Sequence, residues 1–141
     1  MELLGELFSH IYLSELVKPL LSETLRKDEE IRVLYRQYQT KNKIEYSQTD
    51  SYNESYWILT NKALINLTIR VGKIELKIFA LDNIIRINKS FEVSESKTIK
   101  PSYLSITFSN GEKCELYPPE GNDELDSVER YETLVKILRH K

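Results

Sequence analysis

"YWILTNKALINLTI", residues 56–69, decides how this chain is read. Tyr56 and Trp57 lead into Ile58-Leu59-Thr60, a polar Asn61-Lys62 step follows, and Ala63, Ile65, Leu67 and Ile69 then alternate with other residues. A period of two marks β-strands, so the stretch reads as strand, short turn, strand. The next segment continues the pattern, with Ile74, Leu76, Ile78 and Ala80 after Val71-Gly72. A turn at 71–72 sets 69 against 74, 67 against 76 and 65 against 78, so apolar residues meet on a single buried face.

Strands are expected on either side of this centre. Ile31, Val33 and Tyr35 start a first strand over about 31–39, and a polar segment covers 40–54. Beyond 55–60, 63–70 and 73–80, another strand is expected at about 84–90, after a turn at Asp82-Asn83. A loop runs through Lys97 to Pro101, and strands at 103–109 and 112–117 flank Asn110-Gly111. A two-residue turn there would set Phe108 and Ile106 against Lys113 and Glu115. A three-residue loop, Ser109-Asn110-Gly111, instead sets Ile106 against Cys114 and Leu104 against Leu116, which one buried face requires. The three-residue loop is therefore predicted, with Gly111 left-handed as part of a bulge.

Helices flank the strands. Leu3, Leu4, Leu7, Phe8 and Ile11 share a helical stripe, and after Tyr12 the stripe changes phase to Leu13, Leu16, Val17, Leu20, Leu21 and Leu25. Pro19 cannot donate the helix hydrogen bond, so two helices at about 2–17 and 19–28, or one kinked at Pro19, are expected. At the other end Leu125, Val128, Tyr131, Leu134, Val135 and Leu138 predict a helix over about 123–139. Acidic residues begin it and Lys136, Arg139 and Lys141 end it, as the helix dipole favours. An α+β class follows: about seven antiparallel strands as a strongly bent barrel, closed by the C-terminal helix. Residues 1–29 form an N-terminal helical extension and 30–141 the barrel.

Composition sets the class of protein. At 141 residues with 40% hydrophobic and 30% charged side chains, one domain with its own core is expected. No apolar run approaches the ~20 residues that cross a bilayer. The start, Met1-Glu2-Leu3-Leu4, lacks a basic signal region, and the single Cys114 fits a reducing compartment, so a cytoplasmic location is expected. The net charge of −2 is segregated: residues 1–30 carry −4, 31–114 carry +5 and 115–141 carry −3.

Three stretches carry a family resemblance. "YWILTNKALINL" resembles the strand-turn-strand of bacterial pleckstrin-homology-like domains, "FALDNIIRI" their next strand, and "LSITFSNGEKCELY" with the terminal helix their last hairpin and cap. The resemblance covers about residues 31–141; many relatives carry Arg after the Leu-Thr turn, where this chain has Lys62-Ala63. It implies a binding domain for phosphoinositides or peptides. Lipid-binding members use basic residues on the first two strands and their loop; the matching positions here are Arg36, Lys41 and Lys43, with Lys62 a neighbour.

The residues themselves point to no catalysis, metal or cofactor. His10 and His140 lie within helical patterns, Cys114 alternates with Leu116 as a small core residue, and the four glycines are isolated. Nucleic-acid binding would need a stronger basic stripe with interleaved aromatics. The expected function is a non-catalytic binding or adaptor module, acting through protein contact or self-association. Leu3, Leu4, Leu7, Phe8 and Ile11 are the candidate surface and a homodimer the expected assembly. Deleting residues 1–28 is then expected to leave a folded, monomeric barrel. The alternative is a peripheral membrane adaptor reading anionic headgroups through Arg36, Lys41, Lys43 and Lys62.

Overall fold

A computed structural model describes residues 14–37, 53–70, 72–119 and 125–139. Helix α1 is Ser14–Thr24, followed by strands β1 Ile31–Gln37, β2 Asn53–Thr60, β3 Ala63–Arg70 and β4 Lys73–Ala80. A 3-10 turn, Leu81–Asn83, leads to β5 Ile84–Val93, β6 Ile99–Phe108, β7 Lys113–Leu116 and helix α2 Leu125–Arg139. The sheets are ordered β1-β2-β3-β4 and β5-β6-β7. The chain is thus α+β with two antiparallel sheets, and the described strands form no closed barrel. The 3-10 turn ends one sheet and opens the next. No described helix is long and apolar enough to cross a membrane.

The chain divides into two compact units, Met1–Ile78 and Phe79–Lys141. In the first, the opening stretch supplies the two central strands, with Ile58 opposite Ile65 and Tyr56 opposite Leu67. Leu34, Tyr56, Ile58, Ala63, Ile65, Leu67 and Ile69 form one core with Val17 and Leu21 of α1. Ile74 and Leu76 pack partly buried against it, whereas Ile78 is exposed.

One expectation is corrected in this unit. A single buried face was expected, yet Val33, Tyr35, Trp57, Leu59 and Leu64, which project to the other side, are buried as well. The unbroken apolar run 56–59 is the local reason, because a strand buried on both sides needs no alternation. On that second face the Trp57 indole Nε1 donates to Gln37 Oε1 at 3.0 Å, so the buried ring keeps a partner for its polar atom. At Pro19 the sequence leaves two helices or a single one open, and Pro19 lies inside α1 without dividing it. Val17 and Leu21 on either side are both fully buried. Burying two such side chains, about 1.5–3 kcal/mol each, offsets a proline cost of roughly 3 kcal/mol.

The polar step in the opening stretch is a latch. Thr60 is fully buried, and its Oγ1 accepts from Ala63 N at 2.9 Å and Lys62 N at 3.1 Å while donating to the Glu29 carboxylate. Asn61 exchanges hydrogen bonds with Glu30, through Glu30 N to Oδ1 at 2.8 Å and Asn61 N to Glu30 O at 3.1 Å. Lys62 forms a salt bridge with Asp28; its hydrogen bond to that carboxylate is the main force holding the Asp28 pKa below its ordinary value. Thr60→Ala leaves two amides and a carboxylate without the hydroxyl. It is expected to cost about 1–3 kcal/mol in urea denaturation, and Thr60→Ser less than half as much.

In the second unit the last hairpin has the predicted register, Ile106 opposite Cys114 and Leu104 opposite Leu116. Gly111, at φ +90°, donates its N–H to Phe108 O, and Phe108 N donates to Glu112 O, enclosing the three-residue loop. Leu104, Ile106, Phe108 and Leu116 are buried, and Phe108 stacks on Phe79 at 4.7 Å. The β5–β6 hairpin runs further than expected. Its ladder continues through Phe91 opposite Pro101 to Val93 opposite Ile99, where a long loop was anticipated. Pro101, which reads as a strand breaker, is accommodated beside a register shift between Ser90 and Phe91. Ser94 N donates to Thr98 O and Lys97 N to Ser94 O, closing the turn with Lys97 at φ +64°.

Candidate functional site

Strand β5 forms an edge of the second unit's sheet, and its residues meet those of α2 around two adjoining cavities. The larger, about 710 Å³, is lined by Leu81, Asp82, residues 84–87 and Lys89, with Leu138 and Arg139 from the helix. The smaller, about 270 Å³, lies among Phe91, Pro101, Tyr103 and Leu104 of the hairpin and Tyr131 and Val135 of α2, with Glu132, Lys89, Lys136 and Arg139 also on its wall. Lys89 and Arg139 belong to both.

Local structure explains how these groups converge. Lys136 and Arg139 are three residues apart in α2 and so lie on neighbouring positions of one face. The helix dipole accounts for cations at this end. It does not account for Arg86 and Lys89, which come from a strand. Lys89 lies directly opposite the buried Leu104, and Arg86 follows a register shift between Ile84 and Arg86. Among the described residues none of Arg86, Lys89, Lys136 and Arg139 makes a salt bridge or a side-chain hydrogen bond. Arg86, Lys89, Lys136 and Arg139 outnumber the two carboxylates on the same walls, Asp82 and Glu132, so the lining is net positive and favours an anion. The smaller cavity is mainly apolar and carries two phenols, Tyr103 and Tyr131; burial pushes the Tyr131 hydroxyl up to about 12, so it stays protonated at neutral pH.

The residues singled out from the sequence lie elsewhere. Arg36 is on β1 opposite Tyr56, with its guanidinium 5.8 Å from the centre of that ring. Lys62 is in the β2–β3 turn, at the end of the sheet where Ile31 pairs with Thr60, while Arg36 is near the Gln37–Ser55 end. The sheet therefore keeps these two apart, and Lys62 is engaged by Asp28. Lys41, Lys43, Leu3, Leu4, Leu7, Phe8 and Ile11 lie outside the described residues. Cys114 is on β7, where burial pushes its thiol up to about 12, so it stays protonated and a poor nucleophile at neutral pH. Sequence reasoning missed Arg86 and Lys89 and saw Lys136 and Arg139 only as helix-end charges. The one available signal was the repeated pair of cations three apart.

Comparison with protein-family models, with curated proteins and with solved structures finds no match to this chain.

Proposed function

We propose that this chain is a non-catalytic binding module of the pleckstrin-homology-like class whose second unit captures an anionic, partly apolar partner between β5 and α2. The observation that carries the reading is the set of four cations without a salt bridge among the described residues, Arg86, Lys89, Lys136 and Arg139, which outnumber Asp82 and Glu132 around two adjoining cavities, the smaller of them mainly apolar. Seven antiparallel strands followed by a C-terminal helix accord with the class. The headgroup route through Arg36, Lys41, Lys43 and Lys62 has less behind it, because Lys62 is already paired with Asp28.

Heparin, a soluble polyanion, tests the charge recognition by titration into the full chain. Binding is expected at low salt and should weaken steadily as salt rises. Arg86→Glu/Lys89→Glu is expected to weaken it at least tenfold. Arg86→Gln/Lys89→Gln should leave the melting temperature unchanged or raise it, since removing self-repulsion does not loosen the fold. A wild-type chain that ignores heparin, or binding that survives the Glu pair, overturns the reading.

A further inference from the structure

We infer that the occupant of this groove is residues 1–13 of a second copy of the chain, so that the protein is a reciprocal dimer. The inference rests on the proposed binding role of the groove and identifies its partner.

The receiving surface extends beyond the cavities. Phe91 pairs with Pro101 and Val93 with Ile99, and alternation puts all four on one face of the β5–β6 hairpin. Phe91, Val93 and Ile99 are 54%, 70% and 66% exposed. Phe91 and Pro101 also line the smaller cavity, so the apolar strip runs from the hairpin face into the groove. On the opposite hairpin face Glu92 stands across from Lys100. This is an amphipathic ribbon leading to a groove where Lys89, Lys136 and Arg139 outnumber the one carboxylate, Glu132.

The partner must therefore offer an apolar stripe with negative charge beside it. A bilayer is the poorer fit. The hairpin's end is the polar run 94–98, in which Glu95 and Lys97 balance and the serine and threonine hydroxyls are hydrogen-bonded, and it would have to enter the headgroups ahead of the apolar face. Residues 1–13, MELLGELFSHIYL, carry Leu3, Leu4, Leu7, Phe8 and Ile11 at helical spacing, with Glu2 and Glu6 and no lysine or arginine. That is the complement the groove calls for, apolar to apolar and acidic to basic. The stripe after the phase change is already in use, since Val17 and Leu21 are fully buried in the first unit's own core. Each copy gives one segment and receives one, and a two-fold axis closes the exchange.

Sedimentation equilibrium on the full chain decides the matter, with circular dichroism confirming that each variant is folded. The wild type is expected to dimerise at micromolar concentration. Lys136→Glu/Arg139→Glu should weaken the dimer at least tenfold, Glu2→Lys/Glu6→Lys likewise, and the chain carrying all four changes should recover most of the loss. Heparin separates this inference from the reading beneath it, because Glu2→Lys/Glu6→Lys must retain heparin binding while losing the dimer. A wild type that is monomeric at 100 µM, a dimer indifferent to either charge pair, or absence of rescue overturns the inference even where heparin still binds. So does co-sedimentation with phosphatidylglycerol vesicles that is lost on Val93→Asp, which would assign the apolar face to a membrane.

Discussion

Leu21→Asp is expected to abolish the cooperative unfolding transition of the first unit, and Leu21→Ala to lower its stability by about 2–5 kcal/mol. Leu21 is fully buried and shares a core with Leu34, Ile58, Ile65 and Leu67. An aspartate there must either hold a charge without a partner or take up a proton, and either costs several kcal/mol. Whole domains are stable by only about 5–15 kcal/mol. Urea denaturation followed by tryptophan fluorescence reads the result directly, because Trp57, the sole tryptophan, lies in this unit. An unchanged midpoint would mean that α1 is dispensable to the core. The same packing revises the deletion expected to leave an intact barrel. Removing residues 1–28 takes away Val17, Leu21 and Leu25 together with Asp28. It is expected to unfold the first unit rather than trim it, so point variants are the cleaner way to examine self-association.

Trp57→Ala is expected to be comparably severe, at about 3–5 kcal/mol for the lost ring. Its indole is buried on the second face of the sheet, and its Nε1 is a donor to the buried Gln37 amide oxygen. Trp57→Phe separates the two contributions, since it keeps most of the apolar contact and removes only the donor. A loss of about 1–3 kcal/mol is expected from that change alone. Near-ultraviolet circular dichroism and urea midpoints measure both, with Tyr56 and Tyr35 as remaining aromatic reporters. If Trp57→Phe were as damaging as Trp57→Ala, the hydrogen bond would outweigh the packing, and the ring's burial would not be what holds that face.

Local chemistry made much of the fold legible. The three-residue loop at 109–111 followed from asking which register gives one apolar face, and Ile106 does stand opposite Cys114. The β2–β3 turn was visible as a polar step between apolar runs, although nothing nearby revealed that Thr60 would reach Glu29, 31 residues away. The segment from Lys97 to Pro101 reads as loop, whereas Ile99 and Pro101 are in the ladder, and the register shift between Ser90 and Phe91 shows how it tolerates the proline. Pro19 leaves two helices or one open on local grounds, because the burial that holds α1 together is supplied from β1–β3.

What the amino-acid sequence determined by itself was periodicity: which segments are strands, where Gly72 and Gly111 allow the chain to turn, and that α2 has an apolar stripe. These depend on residues a few positions apart, so they are written in the order of the side chains. Tertiary structure alone decided that Lys62 is tied to Asp28, and that Lys89 shares one cavity with Arg86 and Arg139 and the adjoining one with Lys136 and Arg139. The physical reason is separation along the chain. About 50 residues lie between the β5 cations and those of α2, and a charge has no sequence period that could announce its neighbour across that distance. Only folding brings these charges together, and only there does the excess of cations over Asp82 and Glu132 become visible.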